Sequence, residues 1–376
     1  MHIFIAALHR PIKPTGVCRH AVNLALCLAR EPQVTKINLA IGDWQLGYFQ
    51  TAFTIESDKI NLITVKLKNS SIVRNLWFLQ GLPKLANQLG ADVVHLAFPF
   101  PFLKNRFDAP VVTTIHDLYP YECPENFGFP RVLFNQLFLK QAIANSQGLP
   151  CVSQITLDKL KFYFPRLKPH QQLEVIYNSV DFEGQEIYAP KQLTLEDKFL
   201  LTVAQHRKNK NLDLLIAAYA VLRQDEKLDP DCKLVIVGAV GPETENLKRS
   251  IAELNLESKV LLLSAIDDGE LCWLYQNCQV FAIPSSTEGF CLPLAEALHF
   301  GDRLVCADIP VFREIVGQQC IYFSLEHNAL DNLAQALLEV MQYPQVSTSK
   351  AIERFDRTHI ARQYLNLYER VMTPQH

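Results

Sequence analysis

Apolar residues along this chain follow two alternating rhythms. Short runs rich in Val, Ile, Leu and Phe are separated by longer stretches whose apolar positions recur at three- and four-residue spacing. The first rhythm predicts strands covered on both faces, the second helices packed along one stripe. Strand, helix and strand in strict alternation predict parallel sheets joined by crossover helices.

In the first half the strand segments are HIFIAAL, KINLAIG, NLITVKL, ADVVHLA, PVVTTIH, GLPCVS and LEVIYN, with helices at GVCRHAVNLALCLARE, RVLFNQLFLKQAIANS and SQITLDKLKFYF. After residue 180 the stretch VDFEGQEIYAPKQLTLED loses both rhythms and reads as a linker over 181–197. The alternation then restarts. Strands are expected at KFLLTVA, CKLVIVGA, KVLLLSA, QVFAIPS, RLVCAD and CIYFS, and helices at NLDLLIAAYAVLRQ, ETENLKRSIAEL and NALDNLAQALLEVM. The final helix, RTHIARQYLNLYERVM, carries Ile360, Tyr364, Leu367 and Val371 on one stripe. Two doubly wound α/β domains follow, over 1–180 and 198–354, with a helical tail over 355–376. Ligands of such sheets bind beyond the carboxyl ends of strands, so a cleft between the domains is the expected site.

Composition changes this picture little. A length of 376 residues suits two domains, and 49% apolar with 20% charged residues is ordinary for a globular protein. The net charge of −3 gives no reason to expect nucleic acid as a partner. Ten cysteines include no C-x-x-C pair and sit mostly in apolar runs, which points to small buried side chains in a reducing compartment. MHIFIAALHRP lacks a basic leader and reads as a first strand, and no apolar run has transmembrane length, so a cytoplasmic protein is expected.

Residues 287–296, TEGFCLPLAE, pose the sharpest chemical question. QVFAIPS before them is a strand pattern, and Pro293 suits the start of a helix. Glu288 would hang at the strand end, while Glu296 would project from the first helical turn among Leu292, Leu294, Ala295, Ala297 and Leu298. An ionised carboxylate is costly to bury without a hydrogen-bond partner, so Glu296 either faces solvent or has a partner the sequence does not reveal. Just after Phe290, the N–H groups of Cys291, Leu292 and the first turn would face an anion. Carboxylates for hydroxyls, with an anion site between them, suit a nucleotide sugar.

On these residues EGFCLPLAE resembles the E-x7-E motif of retaining GT-B glycosyltransferases, particularly glycosyltransferase family 4. The resemblance implies that Glu288 contacts the donor sugar and Glu296 the ribose. A pair of solvated surface glutamates is the alternative. VAQHRKNKNLDLLIAAY, residues 203–219, resembles the loop in which that family grips the donor diphosphate with an Arg and a Lys, here Arg207 and Lys210. A guanidinium can fork two phosphate oxygens, while an ammonium is a mobile point charge. Ala204 and Gln205 replace the Gly and Arg often found there, which makes Lys208 a further candidate; a solvated basic loop is the alternative.

Three further segments carry the likeness. In PTGVCRH, residues 14–20, Gly16 would let a phosphate or sugar approach the backbone, although one glycine stands where the family often has two. VVTTIHDLYP places His116 and Asp117 at a strand end, where the family sets a His near the donor sugar; a helix cap is the competing role. CVSQIT and VIYNSVD resemble segments that close the family's first domain, with Ser179 in place of a glycine.

The likeness spans nearly the whole chain and implies a GT-B fold: two Rossmann-like domains facing a cleft, 1–180 binding acceptor, 198–354 binding nucleotide sugar, and 355–376 crossing back to the first domain. It implies retaining transfer of a hexose, leaning toward mannose from a GDP-mannose-like donor, onto a glycan or lipid-linked acceptor in cell-surface polysaccharide synthesis. Neither cofactor nor metal is expected, since no D-x-D stands at a strand end and DPD at 229–231 reads as a turn. A GT-B sugar-nucleotide epimerase would need an acid–base set not identifiable here. A non-catalytic nucleotide-sugar-binding protein would have no use for the full set of Glu288, Glu296, Arg207 and Lys210. A dehydrogenase lacks its G-x-G-x-x-G, GAVGPE being only a glycine turn. TLDKLKFYFPRLKPH and IVRNLWFLQGLPK suggest basic amphipathic faces for peripheral contact with the inner face of a membrane, or ordinary packed helices with snorkelling lysines.

Overall fold

The computed structural model describes residues 1–10, 15–53, 55, 57–180, 182, 184–264, 266–301, 303–343 and 352–373. Pro14 of the glycine turn and Asp181 and Glu183 of the linker lie outside the described residues. The chain divides into two compact units, Met1–Ser179 with Arg354–His376, and Val180–Glu353.

Among the described residues the first unit has a seven-stranded sheet. Its strands are β1 (His2–Ala6), β2 (Lys36–Gly42), β3 (Ile60–Val65), β4 (Val93–Leu96), β5 (Val111–Thr113), β6 (Gly148–Cys151) and β7 (Gln172–Val175). All pairings are parallel, in the order β3-β2-β1-β4-β5-β6-β7. Every strand overlaps an apolar run that predicts it. Ile3 of β1 lies level with Ile37 of β2 and Val93 of β4. Because side chains alternate across a strand, Ile3 and Ile5 pack in one layer with Leu24, Leu28, Tyr364 and Leu367, while Phe4 and Ala6 pack in another with Phe78, Leu82 and Phe100. Apolar layers on both faces explain the unbroken apolar runs.

The helix Arg357–Met372 belongs to the first of these layers, so the chain's last helix does return to the first unit. Asp356 caps its start, accepting from the N–H groups of Thr358 at 2.8 Å and His359 at 3.2 Å. Its buried stripe contains Ile360, Tyr364 and Leu367, and is widened by Ala361, Leu365 and Tyr368.

Among the described residues the second unit has six parallel strands: β8 (Phe199–Val203), β9 (Lys233–Val237), β10 (Val260–Leu263), β11 (Val280–Ile283), β12 (Leu304–Ala307) and β13 (Ile321–Phe323). Their order, β10-β9-β8-β11-β12-β13, repeats that of the first sheet. In each, the chain winds outward one way and then returns to add strands on the other side of its first strand. Between β1 and β4, and between β8 and β11, successive connections diverge and open a crevice at the carboxyl ends. Those four strand ends, with that of β5, lead into the segments of chemical interest.

One segment departs from the sequence reading. IVRNLWFLQGLPK lies in a helical stretch built of Ser71–Leu76, a π-helical turn Trp77–Gly81 and Leu82–Gln88. Arg74 is buried there and bonds to Asn69 and Ser71, so it cannot belong to an exposed basic face. Trp77 folds over Gly81, where a Cβ would collide with its indole.

Candidate functional site

In the second unit, side-chain amides bind the two loops at the β8 and β11 ends together. Asn211 donates to the Pro284 carbonyl at 2.8 Å, Asn209 to the Thr287 carbonyl at 3.3 Å, and the Ser286 N–H donates to the Asn209 carbonyl at 2.9 Å. Asn211 adopts a left-handed backbone, φ 47°, a conformation its short polar side chain tolerates, and turns the chain into the helix Leu212–Gln224. This lacing sets Lys210 opposite Glu288. Their side chains form an ion pair, Nζ to Oε1 2.5 Å, with only 14% and 7% of their surfaces exposed. Water is largely excluded, so each charge gains from the other part of the solvation it has lost.

Arg207 is half-buried and makes no side-chain hydrogen bond or ion pair with another described residue, while Lys208 is exposed. Of the basic residues in this loop, Lys210 is the one brought to Glu288. Phe290 is buried, and Cys291 has φ 69°, left-handed backbone directly before the helix Leu292–Phe300. The Cys291 side chain makes no capping bond at that helix start, and Pro293 occupies its first turn. Burial, and then the Glu288 carboxylate, push the Cys291 thiol well above its usual range, which keeps it neutral.

Glu296 is the fifth residue of this helix, so it projects from the second turn, where the sequence reading placed it in the first. It is buried, and its Oε2 accepts a hydrogen bond of 2.8 Å from the Tyr275 hydroxyl. Tyr275 comes from the helix Asp268–Asn277, whose start is fixed by reciprocal bonds between Asp267 and Glu270, and its ring stacks on Phe300. Here is the partner the sequence could not show.

His206 is a residue that sequence reasoning missed. Thr244 accepts from the Gly241 N–H at 2.9 Å and its hydroxyl lies 2.9 Å from His206 Nδ1. The hydroxyl and Nδ1 thus share one hydrogen bond, while Nε2 is a buried atom with no hydrogen-bond partner among the described residues. Burial, and then Lys248, lower its pKa. A Cβ on Gly238 would collide with the Ala204 carbonyl and one on Gly241 with that of His206, so the GAVGPE glycines serve close packing of backbone against the β8 loop.

The first unit holds the other candidates. Gly16 is exposed and begins the helix Gly16–Ala29, capped by Thr15; a Cβ there would meet nothing within 4 Å. His116 is largely enclosed, with Nε2 2.8 Å from the Ala97 carbonyl. A carbonyl only accepts, so Nε2 carries the proton and Nδ1 is an acceptor. Burial pushes its pKa down to about 4, leaving a neutral ring. Asp117 accepts from the Tyr119 N–H at 3.0 Å in a local turn, one residue ahead of the N-cap Leu118. The DPD carboxylates, as expected, stand in a turn, Asp229 paired with Lys198 and Asp231 with Lys259. Among the described residues no group of three or more His, Cys, Asp or Glu side chains is placed to hold a metal ion, and no helix is long and apolar enough to cross a membrane. None of the ten cysteines forms a disulfide, and nine are buried.

Comparison with known proteins agrees with this layout. Residues 14–183 match the profile described as Glycosyltransferase Family 4, and residues 185–357 that described as Glycosyl transferases group 1. Over 203 residues, 52% of the chain, it is 34% identical to the N-acetylgalactosamine-N,N'-diacetylbacillosaminyl-diphospho-undecaprenol 4-alpha-N-acetylgalactosaminyltransferase of Campylobacter jejuni, spanning about half (53%) of that relative's length. It is 24% identical over 309 residues to the O-antigen chain mannosyltransferase RfbU of Salmonella typhimurium, covering 80% of this chain and 79% of the relative. The fold is that of sucrose-phosphate synthase from Thermosynechococcus elongatus, with a TM-score of 0.73 over 98% of both chains at 17% identity. With both halves accounted for by these profiles and both sheets wound alike, the chain belongs to the GT-B glycosyltransferases of family 4, its second half a group 1 glycosyl transferase domain.

Proposed function

We propose that this glycosyltransferase moves a hexose, with retention of configuration, from a nucleoside-diphosphate sugar to a lipid-linked glycan acceptor during assembly of a surface polysaccharide. The observation that carries this reading is the secluded Lys210–Glu288 pair at the β8 and β11 ends. Lys210 supplies a cation to the departing diphosphate and Glu288 a fixed acceptor for the hexose hydroxyls. Arg207, without a side-chain partner among the described residues, adds a second cation. The helix start after Phe290, at Cys291 and Leu292, faces phosphate oxygens. Glu296, oriented by Tyr275, receives the ribose, and His116 offers Nδ1 to the donor sugar.

In the reaction the bond from the anomeric carbon to the diphosphate breaks, and a bond to the acceptor oxygen forms on the same face. The acceptor's proton passes to a phosphate oxygen of the leaving group. No residue is required as a covalent nucleophile, and the cationic groups above take the role a metal would play. The two relatives named above transfer mannose and N-acetylgalactosamine, so GDP-mannose and UDP-hexosamine donors are tested together. Thermal stabilisation by one nucleotide sugar, then its turnover only with a lipid-linked acceptor, is the expected result. No stabilisation by any donor of the panel would end this reading.

Contact with an anionic membrane belongs to the same proposal. Phe129, Leu133, Phe134 and Leu137 are all more than half exposed, on and just before the helix Arg131–Asn145, which carries Arg131 and Lys140 and no acidic residue. This face adds to TLDKLKFYFPRLKPH, where Phe162, Lys161 and Arg166 are exposed although Lys159 is paired with Glu122, while in IVRNLWFLQGLPK Arg74 is buried. Flotation with phosphatidylglycerol vesicles, lost in Phe134→Asp, is expected; equal partitioning of both proteins would dismiss the contact.

A further inference from the structure

Beside His116 the first unit contains a buried line of polar groups drawn from segments far apart in sequence. The Tyr368 hydroxyl, on the last helix, lies 2.7 Å from His95 Nδ1, and His95 Nε2 lies 2.8 Å from Thr114 Oγ1. Thr114 Oγ1 lies 3.3 Å from His20 Nε2, and His20 Nδ1 lies 2.8 Å from Asn178 Oδ1. All five side chains are buried.

With neutral rings, this geometry selects one arrangement of protons. An amide oxygen only accepts, so His20 Nδ1 carries a proton and its Nε2 accepts from Thr114. Having donated its single hydrogen, Thr114 accepts from His95 Nε2–H. His95 Nδ1 then accepts from Tyr368. Burial keeps the rings neutral: His95 is pushed down to about 3 by burial and then by His116, and His20 falls well below its usual value by burial and then by His116 and His95. The line thus has a fixed direction, from the last helix to the segment that closes the first half of the chain.

His20 meets His116 at its edge, ring centroids 4.6 Å apart and planes at 86°. The bond from Nε2 to the Ala97 carbonyl is one constraint on the His116 ring. A second constraint comes from the His20 ring, itself held at both nitrogens.

We propose that His20 is a positioning residue for His116, and that Tyr368, through His95 and Thr114, lets the returning helix set where the His116 ring holds Nδ1 toward the donor sugar. This rests on the donor-facing reading of His116 given above.

The test uses the full chain carrying 15N-labelled histidine. Long-range proton–nitrogen NMR reports the tautomer and environment of each ring, and kinetics with whichever nucleotide sugar of the panel above is turned over report function. In His20→Leu, the His116 nitrogen signals are expected to shift and broaden as the ring loses its edge contact, with Nε2 still protonated against Ala97, kcat lowered on the order of tenfold and KM for the donor little changed. His20→Gln, which keeps a donor and an acceptor, should restore part of kcat. Tyr368→Phe removes one oxygen at the far end of the line and should shift the same His116 signals in a chain that folds; if His20→Leu does not fold, this variant decides. Unaltered His116 signals in a folded variant would overturn the positioning role. Normal kcat in His116→Ala would instead overturn the donor-facing reading, while displaced His116 signals in His20→Leu would still support the contact.

Discussion

The phenol of Tyr275 donates to Oε2 of Glu296 at 2.8 Å, with both side chains almost wholly removed from solvent. A hydrogen bond to a buried charged group contributes about 1.5–3 kcal/mol, and its loss leaves the carboxylate poorly solvated. Tyr275→Phe is therefore expected to lower the unfolding free energy by that amount and to weaken nucleoside diphosphate binding. Glu296→Gln, which keeps an acceptor but no charge, should lose less stability. Urea unfolding with titration calorimetry checks both; an unaffected Tyr275→Phe protein would show that the bond holds nothing in place.

The Lys210–Glu288 pair predicts a non-additive cycle. Removing either partner leaves the other charge without its counter-ion in a nearly dry site, which costs up to about 3–5 kcal/mol, whereas removing both does not. Lys210→Met with Glu288→Gln should therefore be more stable than either single variant. Activity separates the roles: Glu288→Gln should reduce kcat on the order of 10²-fold, and Lys210→Met should chiefly reduce affinity for the diphosphate over the free nucleoside. Additive losses of stability would contradict the coupling.

These two pairs also mark where sequence reading stops. Strands buried on both faces impose apolar runs, and each of the thirteen described strands overlaps such a run. The final helix was equally legible, because its apolar stripe repeats at helical spacing. The helical stretch Ser71–Gln88 was not, since Gly81 and Pro83 break its pattern. The helix Asp268–Asn277 carried a readable D-x-x-E start, yet nothing in it announced that Tyr275 would meet a carboxylate 21 residues later. Side-chain partners are set by how helices cross, and that information lies in the packing.

Cys291 shows a local cost beside the proposed anion site. Its φ of 69° suits glycine, and a side chain there is strained by roughly 1–2 kcal/mol. Comparing Cys291→Gly with Cys291→Ala isolates the backbone, since both lose the thiol. The glycine variant should be more stable by about 1 kcal/mol in urea unfolding. Equal stabilities would mean that the left-handed turn carries no strain.

The buried histidines predict a pH dependence with a definite sign. His116 and His95 titrate at about 4 and about 3 in the folded chain, against 6.5 when unfolded, because burial disfavours their charged forms. Between pH 6.5 and 4 the unfolded chain binds protons that the folded chain refuses. Stability is thus full above that window and falls as pH drops through it, by about 1.4 kcal/mol per pH unit for each such histidine. His95→Gln should flatten the slope near pH 5 by that amount, the carboxylates being common to both proteins. Parallel slopes would show that His95 does not remain neutral in the fold.

The last helix predicts where a lesion will be felt. Leu367 is fully buried in the layer that also contains Ile3, Ile5, Leu24 and Leu28, although hundreds of residues separate them along the chain. Truncating such a leucine leaves a cavity and costs about 2–5 kcal/mol. Leu367 belongs to the first unit, so the loss should fall on that unit alone. In Leu367→Ala, amide hydrogen exchange is expected to quicken in β1, β4 and the helix Gly16–Ala29, while β8, β9 and β11 keep their protection. Matching acceleration in β8 and β9 would mean that the two units unfold as one, and that the returning helix stabilises more than the sheet it covers.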